Sequence, residues 1–369
     1  MSAPARDSGD ERRYMELALT LGRRGLGRTW PNPAVGAVIV KDGVITGRGW
    51  TQPGGRPHAE VEALRRAGEA ASGATLYVTL EPCSHFGKSP PCADAIIAAG
   101  IARAVSALED PNPEVAGEGH ERLRAAGIVV EIGIAADEAR RDHAGHIRRM
   151  RDGRPHVTLK LAISADGKVA GAGRRPVAIT GEEVRERVHL MRAQSDAIMV
   201  GIGTVLGDDP LLTCRLPGMT TRSPVRIVLD NALRLPVGSR LARSAREVPV
   251  WVIGAATAPQ AAETALRESG VEVLRVGEND GRLLAILKLI AARGITRLLV
   301  EGGPRLAASL VQADLVDEVV LFHSPKIIGA DGIDALDGLP LTALTHSPRL
   351  REVGSDAVGA DRCAMFERR

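Results

Sequence analysis

Aromatic residues are scarce in this chain of 369 residues, at 2% of the total. Any hydrophobic core must therefore be built mainly from alanine, valine, leucine and isoleucine. Cysteine is also rare: four residues exclude a disulfide framework and fit a reducing compartment. No apolar run approaches the roughly 20 residues of a membrane span, and residues 1–13 are too polar for a signal peptide. We therefore expect a cytoplasmic protein.

A strong charge of one sign is missing as well. The formal net charge is +3, and acidic and basic residues are interspersed. Because nucleic-acid-binding surfaces are basic stripes or patches, no nucleic-acid partner is expected. Hydrophobic residues make up 44% and charged residues 25%, which is ordinary for a globular protein. The length of the chain predicts two domains, each with a core of its own.

Residues 58–92 carry the clearest chemistry. His58 is followed along the chain by Cys83 and Cys92, and one imidazole with two thiolates suits Zn²⁺. Three protein ligands leave a fourth coordination position for water, whose pKa zinc lowers from about 16 to about 7. Glu60 stands two residues beyond His58 and is predicted to carry protons without binding the metal. The sequence therefore predicts a catalytic zinc site.

The spacing of the two cysteines is unusual. The order His-x-Glu followed by Pro-Cys and Cys is typical of zinc deaminases that act on nucleobase-like rings, where two residues usually separate the cysteines. Here eight residues separate Cys83 from Cys92, and they include His85 and Lys88. Both side chains suit an anionic substrate group such as a phosphate. The alternatives are ordinary buried cysteines or a structural zinc knuckle, but a knuckle would normally have a fourth protein ligand and no use for Glu60.

The rest of the first half predicts a layered α/β domain that ends near residue 137. Apolar runs on both sides of Asp42-Gly43 predict a β-hairpin. Helices are predicted at 58–70 and 93–99, which places His58 and Cys92 at helix starts. Asn32 stands between two prolines ahead of the hairpin and can offer an amide to a ring edge, although a turn residue is the simpler interpretation of this motif alone. Further strands are predicted at 74–80, 101–108 and 128–132, and a further helix is predicted at 119–126.

Alternation of strands and helices restarts at residue 157 and predicts a mostly parallel sheet with helices on its faces. Strands are predicted at 157–163, 197–200, 225–230, 250–253, 271–276, 297–300 and 318–322, and helices at 180–193, 260–268 and 281–292. Thr180 with Glu183 predicts a capping box. In the preceding helical stretch, His143 and His146 are interpreted as solvated residues rather than metal ligands.

The turn Glu301-Gly302-Gly303-Pro304 is the most informative feature of the second half. Glycines let the backbone approach a ligand, proline fits the first position of a helix, and the free N–H groups there attract phosphate. Taken alone this is weak evidence, because a tight structural turn is the commoner explanation. The sequence has no Gly-x-Gly-x-x-Gly motif followed by an acidic residue about 20 positions on, so a Rossmann interpretation fails.

Longer motifs of the first half resemble a known family. Pro31-Asn32-Pro33-x-Val35-Gly36, His58-Ala59-Glu60 and the run 81–92 resemble the deaminase domain of the bifunctional riboflavin-biosynthesis enzymes, the diaminohydroxyphosphoribosylaminopyrimidine deaminase/aminouracil reductases. The long segment between the cysteines makes the resemblance specific. It implies a cytidine-deaminase-like α/β/α fold and substrate contacts from Asn32, His85 and Lys88.

The second half resembles the reductase half of the same family, through residues 160–167, 192–197, 203–215 and 301–304. The resemblance implies a dihydrofolate-reductase-like α/β fold that uses NADPH. The implied cofactor contacts are Ala162, Thr204, Asp208, Gly303, Pro304, Arg305, Leu306, Ala307, Ala308 and Ser309. The implied substrate contacts are Arg192, Leu212, Arg215 and Glu301. Arginines can hold a phosphate, and a glutamate can accept hydrogen bonds from ribose hydroxyls.

Two places depart from the family pattern. Where the family often has a histidine after Gly-x-Gly-x, this chain has Thr51, which can form hydrogen bonds but cannot carry a proton. Where many members have a Ser-x-Trp-Ile-Thr run beside cofactor and substrate, this chain has Pro176-Val177-Ala178-Ile179-Thr180. The missing aromatic side chain predicts weaker NADPH binding or an altered pocket.

The prediction for the whole chain is a bifunctional enzyme of riboflavin synthesis, with zinc deaminase domain 1–147, junction 148–154 and NADPH-dependent reductase domain 155–369. The first domain would deaminate 2,5-diamino-6-ribosylamino-4(3H)-pyrimidinone 5′-phosphate, and the second would reduce the ribosyl group to ribityl. A homo-oligomer is expected. The alternatives are a nucleobase or tRNA deaminase with an appended binding domain, and a non-catalytic zinc scaffold that binds a phosphorylated metabolite.

Overall fold

The computed structural model of the chain describes residues 8–87, 90–113, 115–277 and 281–369. The chain divides into two compact units, residues 1–153 and 154–369. Both units are mixed α/β structures. Within the described ranges, no helix combines the length and the apolar character that a membrane span requires.

The first unit contains a five-stranded sheet with the order β2-β1-β3-β4-β5. Its strands are β1 (Gly36–Lys41), β2 (Val44–Trp50), β3 (Thr75–Val78), β4 (Arg103–Ser106) and β5 (Val129–Ile132). Its helices are α1 (Ser8–Arg23), α2 (Ala59–Ala67), α3 (Cys92–Ala98), α4 (Glu118–Ala125), α5 (Ala136–Asp142) and α6 (Ala144–Asp152). β1 is antiparallel to β2 and β3, whereas β3, β4 and β5 are parallel. The predicted hairpin followed by alternating helices and strands is confirmed.

The hairpin of β1 and β2 turns at the predicted residues. Asp42 and Gly43 have φ angles of 52° and 78°, the left-handed backbone that a two-residue hairpin turn requires. β1 lies between β2 and β3 in the sheet, and its residues Ala37, Val38 and Ile39 have no exposed surface. The hairpin therefore anchors the core of the first unit.

Two glycines on one face of β2 determine where α2 lies. A Cβ on Gly47 would lie 2.3 Å from the carbonyl oxygen of Ala63, and a Cβ on Gly49 would lie 2.1 Å from that of Ala59. Residues two apart on a strand share a face, so the helix packs directly on the strand backbone. This close approach fixes the start of α2, where His58 is the N-cap.

The second unit contains a nine-stranded sheet with the order β11-β10-β9-β8-β12-β6-β13-β16-β15 and a two-stranded sheet of β7 and β14. Its strands are β6 (His156–Ile163), β7 (Lys168–Ala170), β8 (Ala197–Gly201), β9 (Val225–Leu229), β10 (Val250–Ala255), β11 (Glu272–Val276), β12 (Arg297–Val300), β13 (Glu318–His323), β14 (Ile333–Asp334), β15 (Leu350–Val358) and β16 (Asp361–Arg368). Its helices are α7 (Glu182–Ala193), α8 (Ile202–Asp208), α9 (Arg240–Arg243), α10 (Gln260–Glu268), α11 (Arg282–Ala292), α12 (Pro304–Gln312) and α13 (Thr342–Thr345).

The large sheet is parallel from β11 to β13, as the sequence predicts. The antiparallel hairpin of β15 and β16, which adds to the sheet beside β13, was not predicted. β15 alternates between exposed and half-buried residues along most of its length, so it lacks the apolar run that marks the buried strands. Its β-structure is stabilised by pairing with β16 rather than by a buried face of its own.

The capping box predicted from Thr180 and Glu183 is wrong. The helix begins at Glu182, its N-cap is Gly181, and no side chain caps it. The backbone N–H of Gly181 donates instead to a carboxylate oxygen of Asp361 at 2.7 Å. Because this partner comes from the C-terminal hairpin, local sequence could not reveal it.

The interpretation of His143 and His146 as solvated residues is also wrong. His143 stands between α5 and α6, is 2% exposed and places Nε2 3.0 Å from the hydroxyl oxygen of Thr79. The side chain of His146 is 11% exposed, and its Nε2 lies 3.7 Å from a carboxylate oxygen of Asp110. Both side chains therefore belong to the interior of the first unit.

Candidate active sites

The three predicted metal ligands of the first unit meet at one point. His58 precedes α2, Cys92 is the first residue of α3, and Cys83 lies in the segment after β3. His58 Nδ1 lies 3.3 Å from Cys92 Sγ and 3.7 Å from Cys83 Sγ. One ligand atom from each residue lies within 4.8 Å of the other two. One imidazole and two sulfurs at this spacing match the donor set of a catalytic zinc site.

The electrostatics of the two cysteines favour a bound cation. A hydrogen bond with the Cys92 thiol lowers the pKa of Cys83 to about 4, so Cys83 is a thiolate at neutral pH. The same hydrogen bond raises the pKa of Cys92, and burial and the repulsion from the negative charges of Glu60 and Cys83 raise it further. A divalent cation removes this repulsion and allows both sulfurs to ionise. The residues present therefore fit Zn²⁺.

Glu60 lies in the first turn of α2, beside the metal ligands. Only 3% of the residue is exposed, and its carboxyl group interacts with the imidazole of His58 and the thiol of Cys92. Burial raises the pKa of Glu60 above the ordinary range of a glutamate. A carboxyl group of raised pKa holds a proton more readily than an ordinary glutamate and can pass it on, which a proton carrier must do.

The predicted substrate contacts of this unit have different surroundings. Asn32 Nδ2 donates to the carbonyl oxygen of Gly55 at 2.8 Å and lies 3.3 Å from His58 Nε2, the ring nitrogen remote from the cysteines. His85 is exposed in the segment between the cysteines. Lys88 lies outside the described residues. The structure therefore brings Asn32 to the metal ligands and leaves His85 open to solvent.

Arg56 is a further cation near this site that the sequence analysis did not select. A Cβ on Gly87 would lie 3.4 Å from Arg56 Nη2, so the guanidinium lies beside the segment that carries His85. Its positive charge also acts on the pKa of His58. The available signal was its place two residues before His58, which alone does not distinguish a site residue from a surface arginine.

A second group of predicted residues meets in the other unit. Arg192 of α7 donates from Nε and Nη2 to the two carboxylate oxygens of Glu301, at 2.7 and 3.1 Å. Lys160 of β6 places Nζ 3.7 Å from the same carboxylate. Burial alone would raise the pKa of Glu301, but Arg192 and Lys160 outweigh burial and hold it below its ordinary value. Lys160 was only part of a motif in the sequence, and the structure adds it to this site.

The predicted substrate residues Leu212 and Arg215 lie in the segment between α8 and β9, which is held to this cluster. Arg192 Nη1 donates to the carbonyl oxygen of Thr213 at 3.2 Å. Leu212 is buried and has a φ of 55°, whereas Arg215 is exposed. The conformation of this segment therefore depends on the same arginine that binds Glu301.

Arg226 also holds this segment, and the sequence analysis missed it. The residue is fully buried in β9 and donates to the carbonyl oxygen of Leu211 at 3.2 Å and to Ser244 Oγ at 2.8 Å. It also donates to the carbonyl oxygen of Val248. Burial lowers the pKa of Arg226 to about 10, so it stays charged at neutral pH. A single arginine within an apolar strand was the signal that could have revealed it.

The predicted cofactor residues lie in β6, in α8 and at the start of α12. Gly303 is the N-cap of α12 and Pro304 its first residue, and no side chain caps the helix. A Cβ on Gly303 would lie 3.5 Å from Thr204 Oγ1, so these two residues are neighbours. The helix start therefore offers free N–H groups next to a hydroxyl, which suits a phosphate.

The other predicted cofactor residues differ in exposure. Leu306, Ala307 and Ala308 have buried side chains, so any contact with a ligand would come from their backbone. Ser309 Oγ donates to the carbonyl oxygen of Arg305 within the helix. Ala162 is half-buried, and Asp208 and Arg305 are exposed.

Comparison with known proteins decides the family. Residues 155–364 match the model of the RibD C-terminal domain, and residues 8–108 match that of the cytidine and deoxycytidylate deaminase zinc-binding region. The chain is 43% identical to riboflavin biosynthesis protein RibD of Aquifex aeolicus, over 97% of this chain and 98% of the relative. The chain belongs to the RibD family.

Other RibD proteins give the same result. The Escherichia coli protein is 44% identical over 95% of this chain and 97% of its own length. A structure of Acinetobacter baumannii RibD superposes with a TM-score of 0.88 at 36% identity, covering 98% of this chain and 100% of that one. The structure of a Thermotoga maritima diaminohydroxyphosphoribosylaminopyrimidine deaminase/5-amino-6-(5-phosphoribosylamino)uracil reductase has a TM-score of 0.85 at 36% identity and covers 98% of this chain and 99% of its own.

The RibD assignment confirms the main predictions. The chain is a bifunctional deaminase and reductase of riboflavin biosynthesis, with a zinc-binding deaminase domain and an NADPH-dependent reductase domain of dihydrofolate-reductase-like fold. Because the RibD C-terminal model covers the second unit, that unit is not an unrelated binding module appended to a deaminase.

Thr51, the first departure from the family pattern, is 1% exposed. Its Oγ1 accepts from the backbone N–H of Val35 at 3.1 Å and lies 3.5 Å from the carbonyl oxygen of the same residue. The hydroxyl thus closes the end of the β1–β2 pairing. This chain uses the position for backbone contacts rather than for a titratable side chain.

The second departure lies in an exposed segment before α7. Pro176, Val177 and Ala178 are exposed, and Lys326 Nζ donates to the carbonyl oxygen of Ala178 at 2.6 Å. Ser324 Oγ donates to the carbonyl oxygen of Ile179 at 2.8 Å. The backbone is therefore held in place while no large side chain stands at Ala178.

Proposed function

We propose that the first unit deaminates 2,5-diamino-6-ribosylamino-4(3H)-pyrimidinone 5′-phosphate and that the second unit reduces the ribosyl group of the product to ribityl with NADPH. The similar Thermotoga maritima protein is named as a deaminase and a reductase of substrates of this class. The observation that supports the proposal most is the convergence of His58, Cys83 and Cys92 beside the buried Glu60.

In the deaminase unit, His58, Cys83 and Cys92 are the proposed zinc ligands and Glu60 the catalytic residue. Zinc bound there supplies a Lewis acid that lowers the pKa of a water molecule to about 7. Glu60 accepts a proton from the attacking water and delivers it to the departing amine nitrogen, so the ring carbon exchanges its amine for oxygen and ammonia leaves. Burial of Glu60 supports this role because it raises the pKa of the carboxyl group.

The same unit must also recognise the substrate. Asn32 lies next to His58 and is proposed to offer its amide to the edge of the pyrimidine ring. His85 and Lys88 are proposed to hold the phosphate, since charge-assisted hydrogen bonds to phosphate are strong. The exposed position of His85 supports this assignment, because a phosphate on a flexible ribosyl chain must be reached from solvent.

In the reductase unit, Arg192, Leu212, Arg215 and Glu301 are the proposed substrate contacts. Glu301 is ionised and held in one orientation by Arg192, so it can accept hydrogen bonds from ribose hydroxyls without rearrangement. The proposed NADPH contacts are Ala162, Thr204, Asp208, Gly303, Pro304, Arg305, Leu306, Ala307, Ala308 and Ser309. NADPH supplies the hydride, so the protein needs no nucleophile and must position the two reactants and exclude water.

The proposed domain bounds are 1–147 for the deaminase, 148–154 for the junction and 155–369 for the reductase, although helix α6 continues to Asp152. We propose a cytoplasmic location, because two zinc-binding thiolates need a reducing compartment. A homo-oligomer and the lack of a nucleic-acid partner are part of the same proposal, the latter because basic and acidic residues are interspersed at a net charge of +3.

Mass spectrometry of the products tests the proposed sequence of reactions. Purified protein is incubated with the diaminopyrimidine ribosyl phosphate, with and without NADPH. Without NADPH we expect only the deaminated product, and with NADPH the product that is both deaminated and reduced. Turnover of free cytosine or adenosine with no turnover of the ribosyl phosphate would refute the proposed substrate.

A further inference from the structure

Eight residues separate Cys83 from Cys92, so the chain between them does not by itself fix the distance between the two sulfur atoms. Where two residues separate a pair of cysteines, the short connection itself holds the sulfurs together, but a longer connection cannot. The backbone N–H of Cys92 donates to Cys83 Sγ at 3.3 Å, and the N–H of Ala93 donates to the carbonyl oxygen of Cys83 at 3.2 Å. These contacts join the two ends directly, and helix α4 joins them a second time.

Arg122 of α4 contacts both ends of this connection. Its Nη1 donates to the carbonyl oxygen of Ser84 at 3.1 Å, and Ser84 directly follows Cys83. Its Nη2 lies 2.7 Å from Oδ1 of Asp94, which stands two residues after Cys92 in the first turn of α3. One planar guanidinium therefore links the two cysteine-bearing segments, and its forked geometry allows it to bind two acceptors at once.

Glu81 fixes the start of α4 against the same segments. Its side chain is 2% exposed, and its two oxygens accept four backbone N–H groups at 2.8 to 3.3 Å, those of Asp110, Gly117, Gly119 and His120. A Cβ on Gly119 would lie 2.0 Å from the carbonyl oxygen of Pro82. The start of α4 thus lies directly on the backbone that leads into Cys83.

The same carboxylate excludes a second metal site in this place. Glu81, Glu109 and His120 offer ligand atoms at a spacing that a cation could bridge. Both oxygens of Glu81 already accept two backbone N–H groups each, so no lone pair is left for a metal ion. The cluster therefore organises backbone.

We propose that α4 is a brace for the zinc ligands, in which Glu81 fixes the start of the helix and Arg122 holds the segments of Cys83 and Cys92 together. Arg122 is a positioning residue, and it acts on how long zinc stays bound. The inference rests on the proposed zinc ligation by Cys83 and Cys92. It assigns to Glu81 and to α4 a function that the zinc ligands alone do not explain.

The rate of zinc release from the full-length, zinc-loaded protein tests the brace. Zinc is captured by an excess of a chromophoric chelator, and wild type is compared with Arg122→Gln and with Arg124→Gln. Arg124 is an exposed residue of the same helix and is the matched control. Arg122 and Asp94 are partly exposed, at 41% and 33% of their side chains, and such ion pairs have modest effects. We therefore expect Arg122→Gln to release zinc ~2- to 5-fold faster. Arg124→Gln should match wild type.

Further variants separate positioning from general loss of structure. Arg122→Lys keeps the charge but not the fork, so it should release zinc nearly as fast as Arg122→Gln. Asp94→Asn should also speed release, and combining it with Arg122→Gln should add little, since both remove the same link. The far-ultraviolet circular dichroism spectrum of every variant should match that of wild type, which shows that the deaminase unit is folded.

Two outcomes distinguish failure of the brace from failure of the zinc site. If Arg122→Gln and Arg124→Gln release zinc at the same rate, while Cys92→Ser releases it at a different rate from wild type, the brace is overturned and the zinc site stands. Equal release from wild type and Cys92→Ser would overturn the site, and the brace with it.

Discussion

The two sites of this molecule deal with buried charge in opposite ways. In the deaminase unit, Cys83, Cys92 and Glu60 crowd acidic groups around one imidazole, and the pKa values of Cys92 and Glu60 are raised. In the reductase unit, Glu301 is paired with Arg192 and Lys160, and its pKa is lowered. The acidic groups of the first site need an added cation to balance their charge, whereas Glu301 in the second site is balanced by Arg192 and Lys160 of the protein itself. Removing zinc or substituting one residue should therefore affect one activity at a time.

Glu60→Gln should have the largest effect. The amide keeps the size of the side chain but cannot carry a proton, so deamination should fall by about 10²- to 10⁴-fold. Ammonia release measures this step, and reduction of the deaminated substrate should be unchanged. Bound zinc should also be unchanged, since Glu60 is not a proposed ligand. An unimpaired rate of ammonia release would show that another group carries the proton.

Arg192→Lys should have the next largest effect, on the other activity. Lysine cannot make the paired hydrogen bonds to Glu301 and the additional bond to Thr213. Since hydrogen bonds to charged groups contribute about 1.5–3 kcal/mol, kcat/KM for reduction should fall by about 10- to 100-fold. Arg187→Lys, in the same helix but paired with Asp356, is the control. Equal losses in both variants would mean that α7 is perturbed as a whole.

Ala178→Trp should have a smaller effect and in the favourable direction. Ala178 is exposed and Lys326 holds its backbone carbonyl, so an indole can be added without moving the segment. An aromatic contact contributes about 0.5–1.5 kcal/mol, so the Kd for NADPH should fall by about 2- to 10-fold. Titration of NADPH fluorescence measures it, with Val177→Trp as the control. No tightening relative to that control would place the nicotinamide elsewhere.

Asp166 should make a small, pH-dependent contribution to the stability of the reductase unit at acidic pH. A hydrogen bond from Ser164 and backbone N–H groups of Ile328 and Gly329 lower the pKa of Asp166 to about 2. The lowered pKa contributes stability that is complete above the ordinary value of about 4 and is lost as the pH falls towards 2. Between about pH 5 and about pH 2, a range that spans both pKa values, the melting temperature of Asp166→Asn should therefore fall less steeply with pH than that of wild type. Parallel curves would refute this contribution.

Much of the fold and of the metal site could be predicted from sequence because the signals were local. Asp42-Gly43 required a left-handed turn, and Pro304 marked a helix start. His58 and Cys92 stood at predicted helix starts, and the chemistry of the donor set brought in Cys83. Local pattern was sufficient wherever the partner of a residue lay within a few positions.

The remaining features depended on partners far along the chain. Gly181 is bound by Asp361, His143 by Thr79, and the segment after Leu211 by Arg226. None of these pairs has a periodic or spaced signature, so sequence predicted a capping box, a solvated histidine and no buried arginine. The burial of Thr51 likewise followed only from the closing of the hairpin.

X-ray absorption at the zinc edge tests the central claim most directly, because it counts the sulfur ligands around the ion. The account predicts one zinc per chain with two sulfur neighbours at about 2.3 Å and nitrogen or oxygen neighbours at about 2.0 Å. A small added thiol should raise the sulfur count to three, because one position is open. Protein that deaminates at full rate without zinc, or a sulfur count that an added thiol leaves unchanged, would contradict the account.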